Sequence, residues 1–183
     1  DVYKRQLIMR GEFLGSPELR YEIAKYLYHN RSMVVSPDCI VIGTGIEYLY
    51  SKLIGLLPEH AVYAVENPGY RKIRLIYEEL GVKWTWTAMA ENGIHMGSLR
   101  SSQATVVHTS PEHHYPLGTV MSARRRQELL KWLEESEEHY IIEDDYDCEF
   151  RYNGHSIPAL FGLDTSGRVI YMNTFCLLYT SPS

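Results

Sequence analysis

Apolar and polar positions follow two periods along the chain, one typical of helices and one typical of strands. Apolar residues recur every three or four positions after Ser16-Pro17-Glu18, where a capping serine, a proline and an acidic residue favour a helix start. The same spacing predicts helices over residues 46–57, 70–80 and 122–138. Short β-rich runs predict strands over residues 39–42, 61–65, 82–87, 104–108, 140–142 and 169–172, with a polar connection over 91–102.

Strands that alternate with helices predict an α/β fold, in which a mainly parallel sheet carries helices on both faces in three layers. With 183 residues, of which 45% are hydrophobic and 22% charged, the chain is large enough for one packed domain or part of a larger one. A formal charge of -5 gives it no overall attraction to nucleic-acid phosphates.

The cysteines and the apolar runs bear on where the protein works. Three widely spaced cysteines without a Cys-x-x-Cys pair indicate neither a disulfide framework nor a zinc ribbon, and they favour a reducing, cytoplasmic setting. No apolar run approaches the roughly 18 to 20 residues that span a bilayer, so no membrane contact is expected.

Ligands of parallel sheets bind beyond the carboxyl ends of the strands, so the turns after the predicted strands are the places to search. The first turn, Gly43-Thr44-Gly45, precedes a helix whose first amides, at Ile46 and Glu47, suit a phosphate. It matches neither the dinucleotide-binding fingerprint nor the Walker loop, which disfavours a dinucleotide or a nucleoside triphosphate. Taken alone, such a turn is more often structural than functional.

Two further turns carry aromatic and imidazole side chains. Tyr70 follows the sequence Glu-Asn-Pro-Gly at a predicted helix start, where a buried core tyrosine is an equally good interpretation. The long turn over residues 111–118 contains His113 and His114, which together with His108 suggest a metal site. No cysteine or carboxylate at a matching spacing completes such a site, so surface or hydrogen-bonding histidines are favoured.

The fourth turn, over residues 143–147, holds four carboxylates in five residues directly after a predicted strand. Crowding of this kind makes it costly to ionise every group. Three interpretations remain open for it: a solvated acidic loop, a magnesium site, and a carboxylate that pairs with a cationic ring nitrogen.

Taken together, the four turns resemble those of the fold-type I aminotransferases of class I/II, which use pyridoxal phosphate. The closest resemblance is to the aminotransferase-like domain of MocR-type transcription regulators of the GntR superfamily. It extends over about residues 11 to 175 and is most specific in the run IIEDDYDCEFRY, residues 141–152. It implies a truncated large domain of the aspartate-aminotransferase-like fold.

The resemblance also implies pyridoxal 5'-phosphate as the cofactor. The residues it assigns to cofactor binding are Gly45, Ile46, Glu47, Tyr70, His113, Asp144 and Tyr146. In the family, the glycine turn holds the phosphate and Tyr70 matches the residue that stacks on the ring. Asp144 matches the carboxylate that keeps the ring nitrogen protonated, Tyr146 matches a donor to the ring 3-oxygen, and His113 lies in a segment that borders the ring.

The chain departs from the family at the lysine that forms the Schiff base with the cofactor. The family has Ser-Lys where this chain has Cys176 and Leu177, so no catalytic residue is expected and the chain is expected to be inactive. We therefore expect residues 7–175 to be a partial large domain and residues 1–6 and 177–183 to be non-native ends. A winged helix before it and a small domain after it are expected to be absent from the chain.

Three functional hypotheses follow. The first is a fragment of a regulator that senses pyridoxal phosphate with an amino acid or amine ligand, is a homodimer as a whole protein, and contacts DNA only through the absent winged helix. The second is a fragment of a stand-alone aminotransferase that acts on an amino acid. The third, much weaker, is a magnesium-dependent phosphotransfer domain built on the acidic turn.

Overall fold

The computed structural model describes residues 13–147 and 158–174. The chain divides into two compact units, residues 1–49 and residues 50–183, and each is described by itself. The segments expected to be non-native, residues 1–6 and 177–183, lie outside the described residues together with Leu177. The same holds for residues 148–152 of the acidic motif.

The first unit begins with helix α1 (Pro17–Arg31), which starts where the sequence predicts. The Ser16 hydroxyl accepts a hydrogen bond from the Leu19 amide, and a proline occupies the first turn, where no amide donor is needed. The helix ends at Ser32, whose backbone is left-handed with a φ of 54°. The capping residues therefore mark where this helix starts and where it ends.

The strand predicted over residues 39–42 is wrong. Residues Pro37–Cys39 form a short 3-10 helix, and Ile40 is extended without belonging to a strand. The Ile42 amide donates to the Leu14 carbonyl, but this single bond does not make a ladder. An apolar β-rich run becomes a strand only when a neighbouring strand pairs with it, and the described residues of this unit contain none.

Helix α2 (Ile46–Leu56) follows Gly45. The φ of Gly45 is +125°, a conformation that side chains with a Cβ rarely adopt, so the turn into the helix requires glycine. The predicted sequence of glycine turn followed by helix is confirmed, although no strand precedes it.

The second unit contains a six-stranded sheet with the order β3-β2-β1-β4-β5-β6. The strands are β1 (Val62–Asn67), β2 (Lys83–Ala90), β3 (Gly93–Ile94), β4 (Val106–Thr109), β5 (Tyr140–Asp144) and β6 (Val169–Met172). Every pairing is parallel except that of β2 with β3. The predicted, mainly parallel sheet is confirmed.

The helices of this unit are α3 (Arg71–Glu79), α4 (Met96–Ser101), α5 (Ala123–Glu134) and α6 (Leu160–Leu163). Ser122 caps α5 as the sequence predicts, but the helix ends before the predicted residue 138. The polar connection expected over residues 91–102 is wrong, because it contains β3 and α4. The buried residues of α4, Met96 and Leu99, are too few and too close together to produce a helical period in the sequence.

The core of the second unit lies between the sheet and its helices. Ala64, Val107 and Ile141, from the three central strands, are fully buried. Leu129 and Trp132 of α5 belong to the same apolar cluster. Because β1, β4 and β5 run in the same direction, their carboxyl ends lie on one edge of the sheet, and the packed core beneath them gives that edge a rigid base.

Candidate cofactor-binding site

Four of the predicted site residues follow strands of the second unit on this carboxyl edge. Tyr70 lies just beyond β1 and is the residue before the first turn of α3. His113 follows β4, Asp144 ends β5, and Tyr146 comes two residues later. Parallel strand ends are where ligands of such sheets bind, so the topology collects these four residues where a ligand is expected.

Glycine is needed in the turn that presents Tyr70. A Cβ built on Gly69 would lie 2.2 Å from the carbonyl oxygen of Glu66, closer than any tolerated contact. The Tyr70 ring is half exposed and meets the Tyr115 ring edge to face, with centroids 5.9 Å apart. Tyr70 is therefore a surface aromatic residue at the edge of the sheet, and the alternative interpretation as a core tyrosine is wrong.

His113 and Tyr146 contact each other across neighbouring turns. Their rings are stacked, with centroids 6.1 Å apart and planes 21° from parallel. Nδ1 of His113 pairs with the Asp147 carboxylate. Burial, with Asp147 and Asp144 nearby, raises the pKa of Tyr146 to about 12, so its hydroxyl remains a hydrogen-bond donor at neutral pH.

The acidic turn is neither a solvated loop nor a cluster around one point, because its carboxylates have different partners. The contacts are those of Glu143 with the amides of Leu160 and Phe161, of Asp144 with His108, of Asp145 with Tyr171 and of Asp147 with His113. Among the residues that the structure describes, no group of three or more His, Cys, Asp or Glu side chains is arranged to hold a metal ion.

Glu143 and Asp145 hold the turn in place from within. Both oxygens of the fully buried Glu143 carboxylate accept backbone amides at the start of α6, at 2.9 Å each. Burial raises the pKa of Glu143 to about 7, against the opposing effect of these hydrogen bonds. The Asp145 carboxylate accepts the Tyr171 hydroxyl at 2.6 Å, which ties the turn to β6.

Asp144 is in a different environment. Its carboxylate is buried at the end of β5, and its Oδ2 lies 3.5 Å from Nε2 of His108. The same nitrogen lies 2.6 Å from the hydroxyl of Tyr50, a fully buried residue of α2. A buried carboxylate without a close hydrogen-bond donor among the described residues is costly unless a cation or a donor completes its environment.

Glu66 is a further buried acid at this edge, which the sequence interpretation did not select. Its carboxylate accepts the Thr109 hydroxyl at 2.5 Å and lies 3.4 Å from Nε2 of His114. Burial raises the pKa of Glu66 to about 7 and lowers that of His114. A glutamate at the end of an otherwise apolar strand is the sequence signal for such a group.

Arg126 of α5 is the second residue that sequence interpretation missed. Its guanidinium is fully buried and donates from Nε to the carbonyl of Met121, from Nη1 to Pro158 and from Nη2 to Pro111. Two of these carbonyls lie at the two ends of the turn that carries His113. The sequence shows only three consecutive arginines, and nothing in it indicates that the third one, Arg126, is buried.

The remaining predicted residues, Gly45, Ile46 and Glu47, belong to the first unit. Ile46 is the first residue of α2, and the amides of a first helical turn point along the helix axis, where an anion is favoured. A Cβ built on Gly45 would meet nothing within 4 Å among the described residues, so there is space beside the turn.

These features fit pyridoxal phosphate by their chemistry. The cofactor carries a phosphate, a flat ring, a ring nitrogen that binds a proton and an oxygen that accepts a hydrogen bond. In the second unit, the exposed face of Tyr70 suits the ring, and the acceptor Asp144 and the donor Tyr146 suit the last two. In the first unit, taken by itself, the start of α2 suits an anion such as a phosphate. The carboxylate of Asp144, buried at the end of β5 and 3.5 Å from Nε2 of His108, is the observation on which this fit depends most.

Within residues 13–147 and 158–174, no helix is both long and apolar enough to cross a bilayer. The chain matches no protein-family model. Its fold is similar to that of a crystal structure of an archaeal alanine:glyoxylate aminotransferase. That comparison gives a TM-score of 0.81 and 32% identity, covering 91% of this chain and 44% of the other. The fold is therefore that of the fold-type I aminotransferases.

Curated relatives add a similarity to transcription regulators. The chain is 39% identical over 175 residues to the uncharacterized HTH-type transcriptional regulator YdeL of Bacillus subtilis, covering 96% of the chain and 38% of the relative. It is 32% identical over 162 residues to the probable rhizopine catabolism regulatory protein MocR of Rhizobium meliloti, covering 88% of the chain and 33% of that protein. Over most of its length the chain is therefore similar to MocR-type transcription regulators, and it spans less than two fifths of the length of these relatives.

Proposed function

We propose that this chain is the effector-sensing part of a MocR-type regulator and binds pyridoxal 5'-phosphate, or its adduct with an amino acid or amine. The observation that carries the proposal is the Asp144 carboxylate, which is buried at the end of β5 and lies 3.5 Å from Nε2 of His108. A cationic ring nitrogen would complete its environment, since buried charges are stabilised by a partner of opposite charge.

The bound cofactor supplies a ring that withdraws electrons from a linked amine. In our proposal, Asp144 accepts a hydrogen bond from the ring nitrogen and keeps that nitrogen protonated. Tyr146 donates to the ring 3-oxygen, a role supported by its raised pKa of about 12. Tyr70 covers one face of the ring, and the stacked pair of Tyr146 with His113 limits the site on the side of the acidic turn.

We propose separately that the amides that follow Gly45 suit a phosphate. We also propose, from the resemblance, that Leu177 stands where the family has its cofactor-binding lysine, and that the chain as printed therefore binds the cofactor reversibly and without a covalent bond. Borohydride reduction followed by mass spectrometry tests this. A reduced adduct on a specific residue would contradict it. DNA contact through a separate domain, a homodimer and a cytoplasmic location are proposed for the whole protein from its family.

Asp144→Asn tests the proposed site. The substitution keeps the size of the side chain and removes its charge. We expect the affinity for pyridoxal 5'-phosphate, titrated by absorbance or by quenching of tryptophan fluorescence, to fall about 10-fold to 100-fold, as for the loss of a charge-assisted hydrogen bond.

Asp145→Asn is the matched control for that experiment. It removes the same charge from the neighbouring residue, whose carboxylate accepts the Tyr171 hydroxyl, and an amide oxygen still accepts that bond. We expect its cofactor affinity to stay within about twofold of the unsubstituted protein. An unchanged affinity in Asp144→Asn, or an equal loss in both variants, would contradict the proposed site.

The alternative function is catalysis by an aminotransferase that acts on an amino acid. The specific observation in its favour is the 32% identity to a protein described as an alanine:glyoxylate aminotransferase. The two functions use the same site, but catalysis ends in a chemical reaction and regulation in a change in DNA binding. Formation of a 2-oxo acid from an amino acid by the full-length protein would favour the enzyme. Effector-dependent DNA binding without turnover would favour the regulator.

A further inference from the structure

Tyr50, His108 and Asp144 form a buried row of three polar side chains that leads from α2 through β4 to the end of β5. Their exposed fractions are 0%, 4% and 6%. Both neighbours approach the same ring atom of His108, since Nε2 lies 2.6 Å from the Tyr50 hydroxyl and 3.5 Å from Oδ2 of Asp144. Only one hydrogen is available at that nitrogen, so the two contacts compete for it.

The hydrogen of the Tyr50 hydroxyl indicates which contact is made. Complete burial, with Asp144 and Tyr77 nearby, raises the pKa of Tyr50 well above its usual range, so the hydroxyl keeps its hydrogen. A buried hydroxyl hydrogen needs an acceptor, and Nε2 of His108 is the one found among the described residues. Nε2 then accepts this bond, and when the ring of His108 carries a single hydrogen, that hydrogen is on Nδ1.

We propose that Tyr50 is a positioning residue that keeps the ring hydrogen of His108 on Nδ1 and away from Asp144. The Asp144 carboxylate therefore does not share its charge with the histidine and is available to a cationic ring nitrogen. The proposal deepens the proposed function and rests on it for the identity of that ring. It concerns a residue of α2 that would not touch the cofactor itself.

Because of the groups around His108, the position of its ring hydrogen depends on the Tyr50 hydroxyl. Glu66 of β1 and Asp144 of β5 are the acids that interact with His108, and Tyr77 of α3 is the other phenol. Without the Tyr50 hydroxyl, Oδ2 of Asp144 is the described polar atom that remains near Nε2. A hydrogen on Nε2 would then be favoured, because it would bond to a buried carboxylate.

Tyr50→Phe tests the inference by removing a single oxygen atom. In the full-length protein labelled with ¹⁵N-histidine, the shifts of the two ring nitrogens show which one carries the hydrogen. His108 is assigned with a His108→Gln variant, at a pH above the ordinary range of imidazole. We expect the hydrogen on Nδ1 in the unsubstituted protein and on Nε2 in Tyr50→Phe. The hydrogen on Nε2 in both, or on Nδ1 in both, would overturn the proposal.

Tyr77→Phe is the matched control. The Tyr77 ring meets the Tyr50 ring and the His108 ring edge to face, at 5.8 Å and 6.4 Å, and it is equally buried. Its hydroxyl, however, has no hydrogen-bond partner among the described residues. Tyr77→Phe should leave the His108 hydrogen on Nδ1. A move to Nε2 in this variant too would show that the packing of the cluster, and not the Tyr50 bond, controls His108.

The cofactor provides the second measurement. We expect Tyr50→Phe to weaken the affinity for pyridoxal 5'-phosphate roughly threefold to tenfold and Tyr77→Phe to leave it unchanged. A hydrogen that moves in Tyr50→Phe with no loss of affinity would overturn the positioning role if Asp144→Asn still weakens binding. If Asp144→Asn also binds normally, the proposed function fails, while the effect of Tyr50 on His108 stands on the nitrogen shifts.

Discussion

The loop of residues 110–121 and the acidic turn of residues 143–147 follow neighbouring strands, yet different kinds of contact hold them in place. The loop is held from outside by Arg126, which donates to the carbonyls of Pro111 and Met121. The acidic turn is held mainly by its own carboxylates, such as Glu143, which accepts two backbone amides at the start of α6.

At this edge of the sheet, the residues that hold the two turns in place are therefore different from those that are available to a ligand. The carboxylates that support the acidic turn accept close hydrogen bonds, whereas the Asp144 carboxylate lies 3.5 Å from Nε2 of His108. One side chain of the loop, Glu112, pairs with Arg126 at 3.2 Å, while His113 and Tyr115 remain exposed enough to meet a ligand. The following predictions test this division, from the largest effect to the smallest.

Arg126→Met should destabilise the protein most. It leaves three carbonyls, two of them in buried residues, without their donor, and Glu112 and Glu143 without their nearby cation. We expect the free energy of unfolding to fall by about 3 to 5 kcal/mol, measured by urea denaturation. Arg124→Met, in the same helix but 89% exposed, should change it by about 0.5 kcal/mol or less. Similar losses in the two variants would show that the loop does not depend on Arg126.

Glu143 should make stability fall as the pH rises. Its pKa is about 7 in the folded protein against 4.5 when unfolded, so the folded state holds a proton that the unfolded state releases in this window. The stabilisation is complete below the unfolded pKa and is lost as the pH rises through the folded pKa, by on the order of 3 kcal/mol. Urea denaturation of Glu143→Gln between about pH 5 and about pH 8 should therefore show a flatter dependence than the unsubstituted protein.

The same measurement on Glu66→Gln sharpens the comparison. The pKa of Glu66 is also about 7, but burial lowers the pKa of its neighbour His114, whose contribution is present above its ordinary pKa and is lost as the pH falls. Glu66→Gln removes only the Glu66 contribution and leaves that of His114 in place, so it should flatten the profile about as much as Glu143→Gln. The exposed Glu79→Gln should leave the profile unchanged. A larger effect in Glu66→Gln would contradict this view of the two regions.

His113→Gln should have the smallest effect. The contact of His113 with Asp147 joins the two regions, but the histidine side chain is 52% exposed, and exposed polar pairs contribute little. We expect the free energy of unfolding to change by less than about 1 kcal/mol. A loss above about 2 kcal/mol in urea denaturation would mean that this contact, and not the separate supports, holds the two turns together.

Much of the fold is predictable from local signals in the sequence. The caps at Ser16 and Ser122 and the apolar runs of β1, β4 and β5 predict elements that the structure contains. The error at residues 39–42 has the opposite cause, because an apolar run carries no information about whether a partner strand exists. The short α4 was missed because six residues are fewer than two helical turns.

The candidate site is predictable only in part. Asp144, Tyr146 and Tyr70 are found by their places after apolar strands and by resemblance to a family. Glu66 and Arg126 were not found, because a buried ion-pairing residue has the same letter in the sequence as a solvated one. The link from Tyr50 to His108 joins residues 58 positions apart, and no local pattern predicts it.

The sequence by itself determined the alternation of strands and helices, the parallel sheet and the turns that follow its strands, because capping and apolar periodicity act over a few neighbouring residues. Only the tertiary structure decided how the four acids of residues 143–147 differ. Their roles depend on which donors the rest of the fold brings to each carboxylate, and burial then makes an unsatisfied charge far more costly than it is in water.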